Sequence, residues 1–208
     1  MTSNYIMEKL DIMIPNPKCE LNYEKDYELL LATILSAQAT DISVNKATSV
    51  LFKKYDLKSL SKAPITDIEN IIRSVGTYKR KSIYLKEVAN ILINEYEGKV
   101  PNNRTILESF PGVGRKTTNV VLSNLFNEPL IAVDTHVNRV SKRLEIAKMD
   151  DDLYTVEKKL MKFFPKDKWT RLHHQLVLFG RYICKSQKPD CINCLFNDKC
   201  KYSNIKKS

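Results

Sequence analysis

Apolar residues recur at helical spacing along almost the whole chain of 208 residues. Positions three and four apart fall on one face of a helix, so this period predicts helices that each bury one side. The clearest stretches are Leu30 to Leu35, Val44 to Leu51, Ile68 to Val75, Val88 to Leu92 and Val137 to Leu144. No long stretch alternates apolar and polar residues as a half-buried strand does. The pattern predicts an all-α protein of about ten helices.

Local signals mark where some of these helices begin and end. Two pairs have the spacing of a capping box, in which each side chain bonds the other residue's backbone N–H: Thr66 with Glu69, and Thr105 with Glu108. Gly76 and Gly98 each follow a periodic run, and glycine most easily takes the left-handed conformation that closes a helix. We therefore expect helices that begin near Thr66 and Thr105 and end near Gly76 and Gly98.

The helices are expected to form two lobes with a cleft between them. The helical pattern is interrupted from Asn127 to Val133, where Pro129 precedes a short apolar stretch. We expect a six-helix domain over residues 20–129, and a second helical domain made of residues 1–19 and 130–208. The apolar N-terminal helix is expected to pack against the C-terminal lobe.

The chain is basic, with 34 Lys and Arg against 24 Asp and Glu, a net charge of +10 and a pI near 9.3. Such a charge favours a polyanionic partner such as nucleic acid. An A·T-biased genome, which enriches lysine codons, is the alternative explanation. No stretch approaches the roughly 20 apolar residues of a membrane helix, and the N-terminus lacks the features of a secretory signal. We therefore expect a cytoplasmic protein with no membrane partner.

Four of the five cysteines lie within the last 25 residues, spaced as Cys184-x6-Cys191-x2-Cys194-x5-Cys200. An odd number of cysteines in a cytoplasmic chain argues against a disulfide framework and for metal ligation by these four. Zinc and iron-sulfur centres both accept four thiolates, although a single Cys-x2-Cys pair is less typical of structural zinc. Full cysteine ligation leaves no open position for substrate, which favours a structural role. Cys19 stands apart and is expected to be a buried thiol.

A glycine-containing turn, Pro111-Gly112-Val113-Gly114, separates two predicted helices, Thr105 to Phe110 and Arg115 to Phe126. The glycines allow a tight turn, and the N-terminus of the following helix offers unpaired N–H donors and a partial positive charge. The turn is therefore a candidate site for a DNA phosphate. A simple connection between two helices is the alternative explanation.

Two residues near these features are candidates for catalysis. Lys116 lies close to the start of the helix after the turn, where a helix N-terminus and a desolvated cleft would favour the uncharged amine that a nucleophile requires. The alternative is a lysine that only pairs with phosphate. Asp134 begins the helix after the interruption, at a place where an Asp is most often a helix cap. A catalytic role for either residue needs support from elsewhere in the sequence.

That support comes from a combination of motifs. Three segments resemble endonuclease III in order and spacing: LSAQATD from Leu35 to Asp41, FPGVGRKTTNVV from Phe110 to Val121, and AVDTH from Ala132 to His136. The four C-terminal cysteines complete the resemblance, which covers the chain from about Leu21 to Cys200. Together these motifs are highly specific.

The resemblance implies a helix-hairpin-helix DNA glycosylase with an associated lyase activity, which acts on double-stranded DNA carrying an oxidised pyrimidine or an abasic site. It implies Lys116 as the nucleophile and Asp134 as the catalytic carboxylate. It also implies a 4Fe-4S cluster held by Cys184, Cys191, Cys194 and Cys200. The residues that it implies in DNA binding are Gly112 and Gly114 on a phosphate, Gln38 in the space left by the extruded base, Thr77 at the wedge position, and His136 and Arg139 on the backbone.

Some positions depart from the family pattern. Thr77 stands where related enzymes often carry a leucine that wedges into the duplex, so insertion there is expected to be weaker or to use a neighbouring residue. Phe110 and Gln175, which replace a frequent Leu and a frequent Trp, are interpreted as packing changes.

Two other functions stay open at this point. A monofunctional mismatch glycosylase of the same superfamily would share the hairpin, Asp134 and the cluster, but such relatives generally lack a lysine at the position of Lys116. A binding module that uses the hairpin and metal only to hold DNA is disfavoured by the presence of both Lys116 and Asp134. In each case we expect a monomer that associates with the bacterial nucleoid through DNA.

Overall fold

The computed structural model of the protein describes residues 1–205. Among those residues every regular element is helical and no β-strand occurs, as the sequence predicts. The α-helices are α1 (Ser3–Met13), α2 (Asp26–Leu35), α3 (Asp41–Lys54), α4 (Leu57–Lys62), α5 (Ile65–Ile71), α6 (Tyr78–Tyr96), α7 (Arg104–Ser109), α8 (Arg115–Leu125), α9 (Thr135–Arg143), α10 (Leu153–Phe163), α11 (Trp169–Tyr182) and α12 (Lys201–Ile205), with a 3₁₀ helix at Lys166–Lys168. None of these helices is long and apolar enough to cross a bilayer.

The chain forms two compact units. The first, which we call the hairpin unit, comprises Cys19–Phe126. The second, which we call the cysteine unit, comprises Met1–Lys18 together with the described residues from Asn127 onward. The hairpin unit contains the seven helices α2 to α8, one more than the six expected. The additional helix is α4, which corresponds to none of the predicted stretches. It is separated from α5 because Ala63 is extended before Pro64, as residues before proline usually are.

The core of the hairpin unit is built around α2, in which every residue from Glu28 to Leu35 is buried. This helix is apolar on almost all sides, as is typical of a helix surrounded by others. Helices α3, α6 and α8 pack against it, and α6 also packs on α4 and α5. The apolar face of α6, with Leu85, Val88 and Leu92 fully buried, supplies these contacts. The glycine turn is therefore supported by a buried apolar core.

The cysteine unit has its own core, formed by the apolar faces of α9, α10 and α11 together with Ile6 and Leu10 of α1. Asp11 of α1 accepts hydrogen bonds from Arg171 Nε at 3.0 Å and from Gln175 Nε2 at 2.8 Å, both on α11. The expected packing of the N-terminal helix against the C-terminal lobe is confirmed. Gln175, which is 2% exposed, is therefore more than a packing change, because it holds α1 by a hydrogen bond.

The helices expected near Thr66 and Thr105 are present and begin one residue earlier, but the predicted capping residues are wrong. Helix α7 begins at Arg104, and Asn103 caps it by accepting from the Ile106 N–H at 3.1 Å, so Thr105 lies inside the helix. Asparagine is at least as good a cap as threonine, and it stands two residues earlier. Helix α5 begins after Pro64 and has no side-chain cap, so Thr66 also lies inside its helix.

The two predicted stops have different outcomes. Gly98 has a φ of 78° and its N–H bonds to Leu92 O at 2.7 Å, so the left-handed closure expected there is confirmed. At Gly76 the expectation is wrong, because the left-handed residue is its neighbour Thr77, with a φ of 57°. Cys19 is partly exposed and not buried as expected.

Candidate functional site

The predicted helix-hairpin-helix is formed by α7, the turn Pro111-Gly112-Val113-Gly114 and α8. Gly112 has a φ of 75°, a conformation that side chains rarely adopt. A Cβ atom at Gly112 would also lie 2.6 Å from Tyr84 Cδ2 and 3.2 Å from Ile34 Cγ2. The hairpin therefore requires glycine here both for its backbone conformation and for its seat on α2 and α6.

Gly114 is the residue that precedes α8, and no side-chain cap bonds to the first N–H groups of this helix. A Cβ atom at Gly114 would meet nothing within 4 Å. The space beside Gly114 is thus open, so an anion can approach the backbone donors there closely. This is the geometry that the sequence predicts for a phosphate site.

Lys116 is the second residue of α8, and its side chain is exposed. The expectation that the protein itself desolvates this amine is therefore wrong for the protein without substrate. The position next to the hairpin is as predicted. Only a bound substrate can remove the water around this amine.

Asp134 is the N-cap of α9, and its Oδ1 accepts from the Val137 N–H at 2.8 Å. The capping role that the sequence favours for it is confirmed. The side chain is partly buried. The cap therefore fixes the orientation of this carboxylate and leaves part of it at the protein surface.

His136 and Arg139 lie on α9 beside the end of α11. The Arg139 guanidinium donates to Gly180 O at 2.8 Å and to Cys184 O at 3.1 Å, and it lies 3.1 Å from His136 Nδ1. A Cβ atom at Gly180 would lie 2.8 Å from His136 Cβ, so the two helices are in close contact there. Arg139 therefore holds the backbone that leads into the first of the four C-terminal cysteines, an interaction that the sequence did not reveal.

Gln38 and Thr77 lie in two turns of the hairpin unit, at the end of α2 and the start of α6. Both are exposed and both have a left-handed backbone, with φ of 55° and 57°. Beneath them lies Lys81, which is 4% exposed, and burial lowers the pKa of its ammonium. No sequence motif includes Lys81, although its spacing of four from Leu85 on the apolar face of α6 indicates a buried lysine.

The four C-terminal cysteines line one pocket, together with Arg143, Phe196 and Tyr202 among others. Three of them, Cys184, Cys194 and Cys200, pack against the core of the cysteine unit. Burial raises the pKa of Cys194 to about 11, and the charges of the other three thiols act in the same direction. Cys184 Sγ lies 3.3 Å from Arg143 Nη1, a cation that stabilises a thiolate.

This donor set fits a four-thiolate group. In the part of the chain that the structure describes, no three His, Cys, Asp or Glu residues are arranged to hold a single metal ion. The pocket that these cysteines line is partly open to solvent and has a volume of about 20 Å³. Four cysteine sulfurs are a donor set that a zinc ion and an iron-sulfur cluster both accept.

Comparisons with known proteins agree with this architecture. The model of the HhH-GPD superfamily of base excision DNA repair proteins matches residues 31–166. Endonuclease III of Bacillus subtilis (strain 168) is 43% identical over 198 residues, which are 95% of this chain and 90% of that protein. The solved structure of a trapped endonuclease III–DNA covalent intermediate, an estranged-adenine complex, matches with a TM-score of 0.94 and 44% identity, covering 99% of this chain and 97% of the other.

A more distant structure, that of a thermostable thymine-DNA glycosylase, matches with a TM-score of 0.83 and 25% identity, covering 97% of this chain and 96% of the other. Both the identity and the coverage are higher for endonuclease III. The chain therefore belongs to the HhH-GPD superfamily of base excision DNA repair proteins and, within it, to the endonuclease III family.

Proposed function

We propose that this protein is a bifunctional DNA glycosylase and abasic-site lyase, which removes oxidised pyrimidine bases from double-stranded DNA and then cleaves the backbone by β-elimination. The observation that carries the proposal is the position of Lys116, an exposed primary amine on the first turn of the helix that follows the glycine hairpin. A phosphate bound at that helix N-terminus would bring the neighbouring sugar within reach of the amine.

The target base cannot be reached inside the stack, so the nucleotide has to rotate out of the duplex, which costs least for a damaged base. Lys116 Nζ then attacks C1′ of the sugar, and the bond to the base breaks with its electron pair leaving on the base. The exposed Lys116 is hydrated in the free protein. We propose that bound DNA excludes this water and so favours the uncharged amine.

Asp134 would act on the same sugar. As an anion it stabilises the positive charge that develops at C1′ when the base departs, or it accepts the proton that the amine loses. Once that proton is lost, the nitrogen lone pair forms the C1′=N bond while the C1′–O4′ bond breaks and O4′ takes up a proton. The sugar ring is then open, and a Schiff base joins Lys116 to C1′. The Schiff base acidifies the proton on C2′, and removal of this proton expels the 3′ phosphate with its bonding electrons.

We assign six residues to DNA binding. The backbone N–H groups at Gly112 and Gly114 would hold a phosphate, and Gln38 would fill the space left by the extruded base. Thr77 would stand at the wedge position, and His136 would contact the DNA backbone. We propose that Arg139 also contacts the DNA backbone. Its guanidinium can do so while it holds Gly180 O and Cys184 O, because these bonds do not use all five of its donors.

A 4Fe-4S cluster is the group that we propose for Cys184, Cys191, Cys194 and Cys200, which would supply one thiolate each. When bound, the cluster supplies a structural crosslink with the capacity for electron transfer. Iron and acid-labile sulfide should both be present at about four per chain in the purified protein, measured by colorimetric assay. Colourless protein with one zinc per chain would contradict this assignment. We further propose a monomer that works in the cytoplasm on nucleoid DNA.

The test of the proposed reaction is borohydride trapping on a duplex that contains a single abasic site. A Schiff base is reducible, so the wild-type protein should become covalently attached to the DNA. Lys116→Gln should abolish trapping and retain DNA binding, whereas Lys53→Gln, an exposed lysine on α3 of the same unit, should trap like the wild type. Continued trapping by Lys116→Gln would remove this residue from the role.

A second candidate is a monofunctional mismatch glycosylase, favoured by the likeness to a thymine-DNA glycosylase. Such an enzyme would excise a mismatched base and leave the abasic strand intact. A panel of duplexes with thymine glycol, a mismatched thymine or an abasic site separates the two functions. Cleavage of the abasic strand together with excision of thymine glycol supports the first candidate. Excision of the mismatched thymine alone supports the second candidate, and failure on all three substrates would point to a protein that only binds DNA.

A further inference from the structure

Lys81 is a buried lysine that the proposed reaction does not use. It lies on α6, is 4% exposed, and donates from Nζ to Leu35 O at 2.8 Å and to Ala37 O at 2.5 Å. A buried ammonium is costly unless it is hydrogen-bonded, so these two bonds are what makes its burial tolerable. The two carbonyls flank Ser36 and directly precede Gln38, at the end of α2. The ammonium thus holds the backbone from which Gln38 projects.

The same residue also holds the second turn. The Lys81 backbone N–H donates to Thr77 O at 3.1 Å, one helical turn back along α6. The two turns touch each other, since a Cβ atom at Gly76 would lie 3.4 Å from Gln38 O. Lys81 is therefore bonded to both turns, through its backbone at Thr77 and through its side chain before Gln38.

Both turns have a strained backbone. Gln38 and Thr77 are left-handed at φ of 55° and 57°, although neither is glycine. Such conformations persist only where the surrounding structure holds them, and they concentrate at functional positions. The Lys81 ammonium bonds the carbonyl immediately before Gln38, so its side chain constrains this turn directly. It constrains the turn of Thr77 through the contact between Gly76 and Gln38 O.

We propose that Lys81 is a positioning residue for base extrusion, which fixes Gln38 and Thr77 in the arrangement needed to open the duplex at the lesion. The inference rests on the proposed function, because it takes Gln38 and Thr77 as the residues that enter the DNA. Lys81 acts through these two residues and does not touch the reacting sugar. Its loss should therefore impair the opening of a base pair more than the chemistry on an open one.

The structure offers a matched control on the same helix. Lys86 Nζ also donates to a backbone carbonyl, Ala63 O at 2.8 Å, but this carbonyl follows α4 and belongs to neither turn. Lys81→Met and Lys86→Met each replace a lysine with a side chain of similar length that has no donor. Both variants lose a lysine–carbonyl bond, so a general loss of stability would affect both.

The experiment compares two substrates in single-turnover reactions. One duplex carries thymine glycol, whose base must be unstacked, and the other a preformed abasic site, where no base is left to unstack. Lys81→Met should excise thymine glycol about 10- to 100-fold more slowly than the wild type, the range expected for a displaced positioning group. It should cleave the abasic strand within about threefold of the wild-type rate. Lys86→Met should show no such difference between the substrates.

A second readout reports base opening directly. The measurement uses proteins that also carry Lys116→Gln, which stops the chemistry. The fluorescence of 2-aminopurine next to the lesion should rise on binding of the protein that retains Lys81, and rise much less on binding of the protein that also carries Lys81→Met. If Lys81→Met does not fold, Lys81→Gln, which retains a donor, takes its place in both experiments. Lys81→Arg should restore part of the 2-aminopurine fluorescence.

Two results would overturn the inference while leaving the proposed function intact: an equal loss on both substrates in Lys81→Met, or the same split in Lys86→Met. A wild-type protein that cleaves neither substrate would defeat the proposed function and this inference with it.

Discussion

Asp134 has two roles that one substitution can separate. As the N-cap of α9 it bonds the Val137 N–H, and as a carboxylate it is proposed to stabilise charge on the sugar. Asparagine caps a helix as well as aspartate does but carries no charge. Asp134→Asn should therefore melt within a few degrees of the wild type and excise thymine glycol about 100-fold more slowly or worse. Asp134→Ala should lose about 1 kcal/mol of stability in addition, because the cap is gone.

The measurements for this prediction are thermal denaturation and single-turnover excision on the same preparations. If Asp134→Asn excises at a rate close to that of the wild type, the carboxylate is only a cap.

Gly112 is the hairpin residue least able to accept a side chain. Alanine there would be held at a φ of 75° with its Cβ 2.6 Å from Tyr84 Cδ2. Gly112→Ala should lower the free energy of unfolding by about 1–3 kcal/mol and weaken duplex binding, since the turn must move. Gly114→Ala is the comparison, because its Cβ has open space, and it should be the milder of the two. Urea denaturation checks the order, and a larger loss in Gly114→Ala would contradict it.

At the scale of elements, the start of α7 shows how a local signal can mislead. The pair Thr105 and Glu108 matches a capping box, yet the cap is Asn103, and Glu108 pairs instead with Arg104 at 2.9 Å. Asn103→Ala should therefore cost about 1 kcal/mol, whereas Thr105→Ala should change the free energy of unfolding by less than about 0.5 kcal/mol. Urea denaturation of the two variants measures both values. Equal losses would place the helix start elsewhere.

The strongest predictions for single elements came from the longest patterns. The period in Val137 to Leu144 predicts α9, and the glycine turn predicts the break between α7 and α8, which the structure confirms. The start of α5 agrees with the helix expected near Thr66, although Pro64 is the residue that precedes it. Helix α4 was not predicted, because its six residues offer too few turns for a period to be recognised.

At the scale of the whole molecule, the net charge of +10 predicts how binding responds to salt. Each phosphate that the protein neutralises releases counterions, so log K should fall linearly with log salt, with a slope of about −0.9 per phosphate. Fluorescence anisotropy with an undamaged duplex between about 50 and 200 mM salt measures this slope. A flat response would mean that the basic surface does not face DNA, and that codon bias is the better explanation of the charge.

Spacing along the chain by itself determined the helical class, the hairpin, the proximity of four cysteines and the place of Lys116 and Asp134 at helix starts. Each of these depends on residues a few positions apart, where geometry is set by the helix period and by local capping. Only the tertiary structure decided where buried polar groups found partners. Lys81 bonds a carbonyl 46 positions away, Arg139 one that is 45 away, and Gln175 an aspartate that is 164 away. A buried donor bonds whichever acceptor the packing of helices brings near it, and no local spacing records that choice.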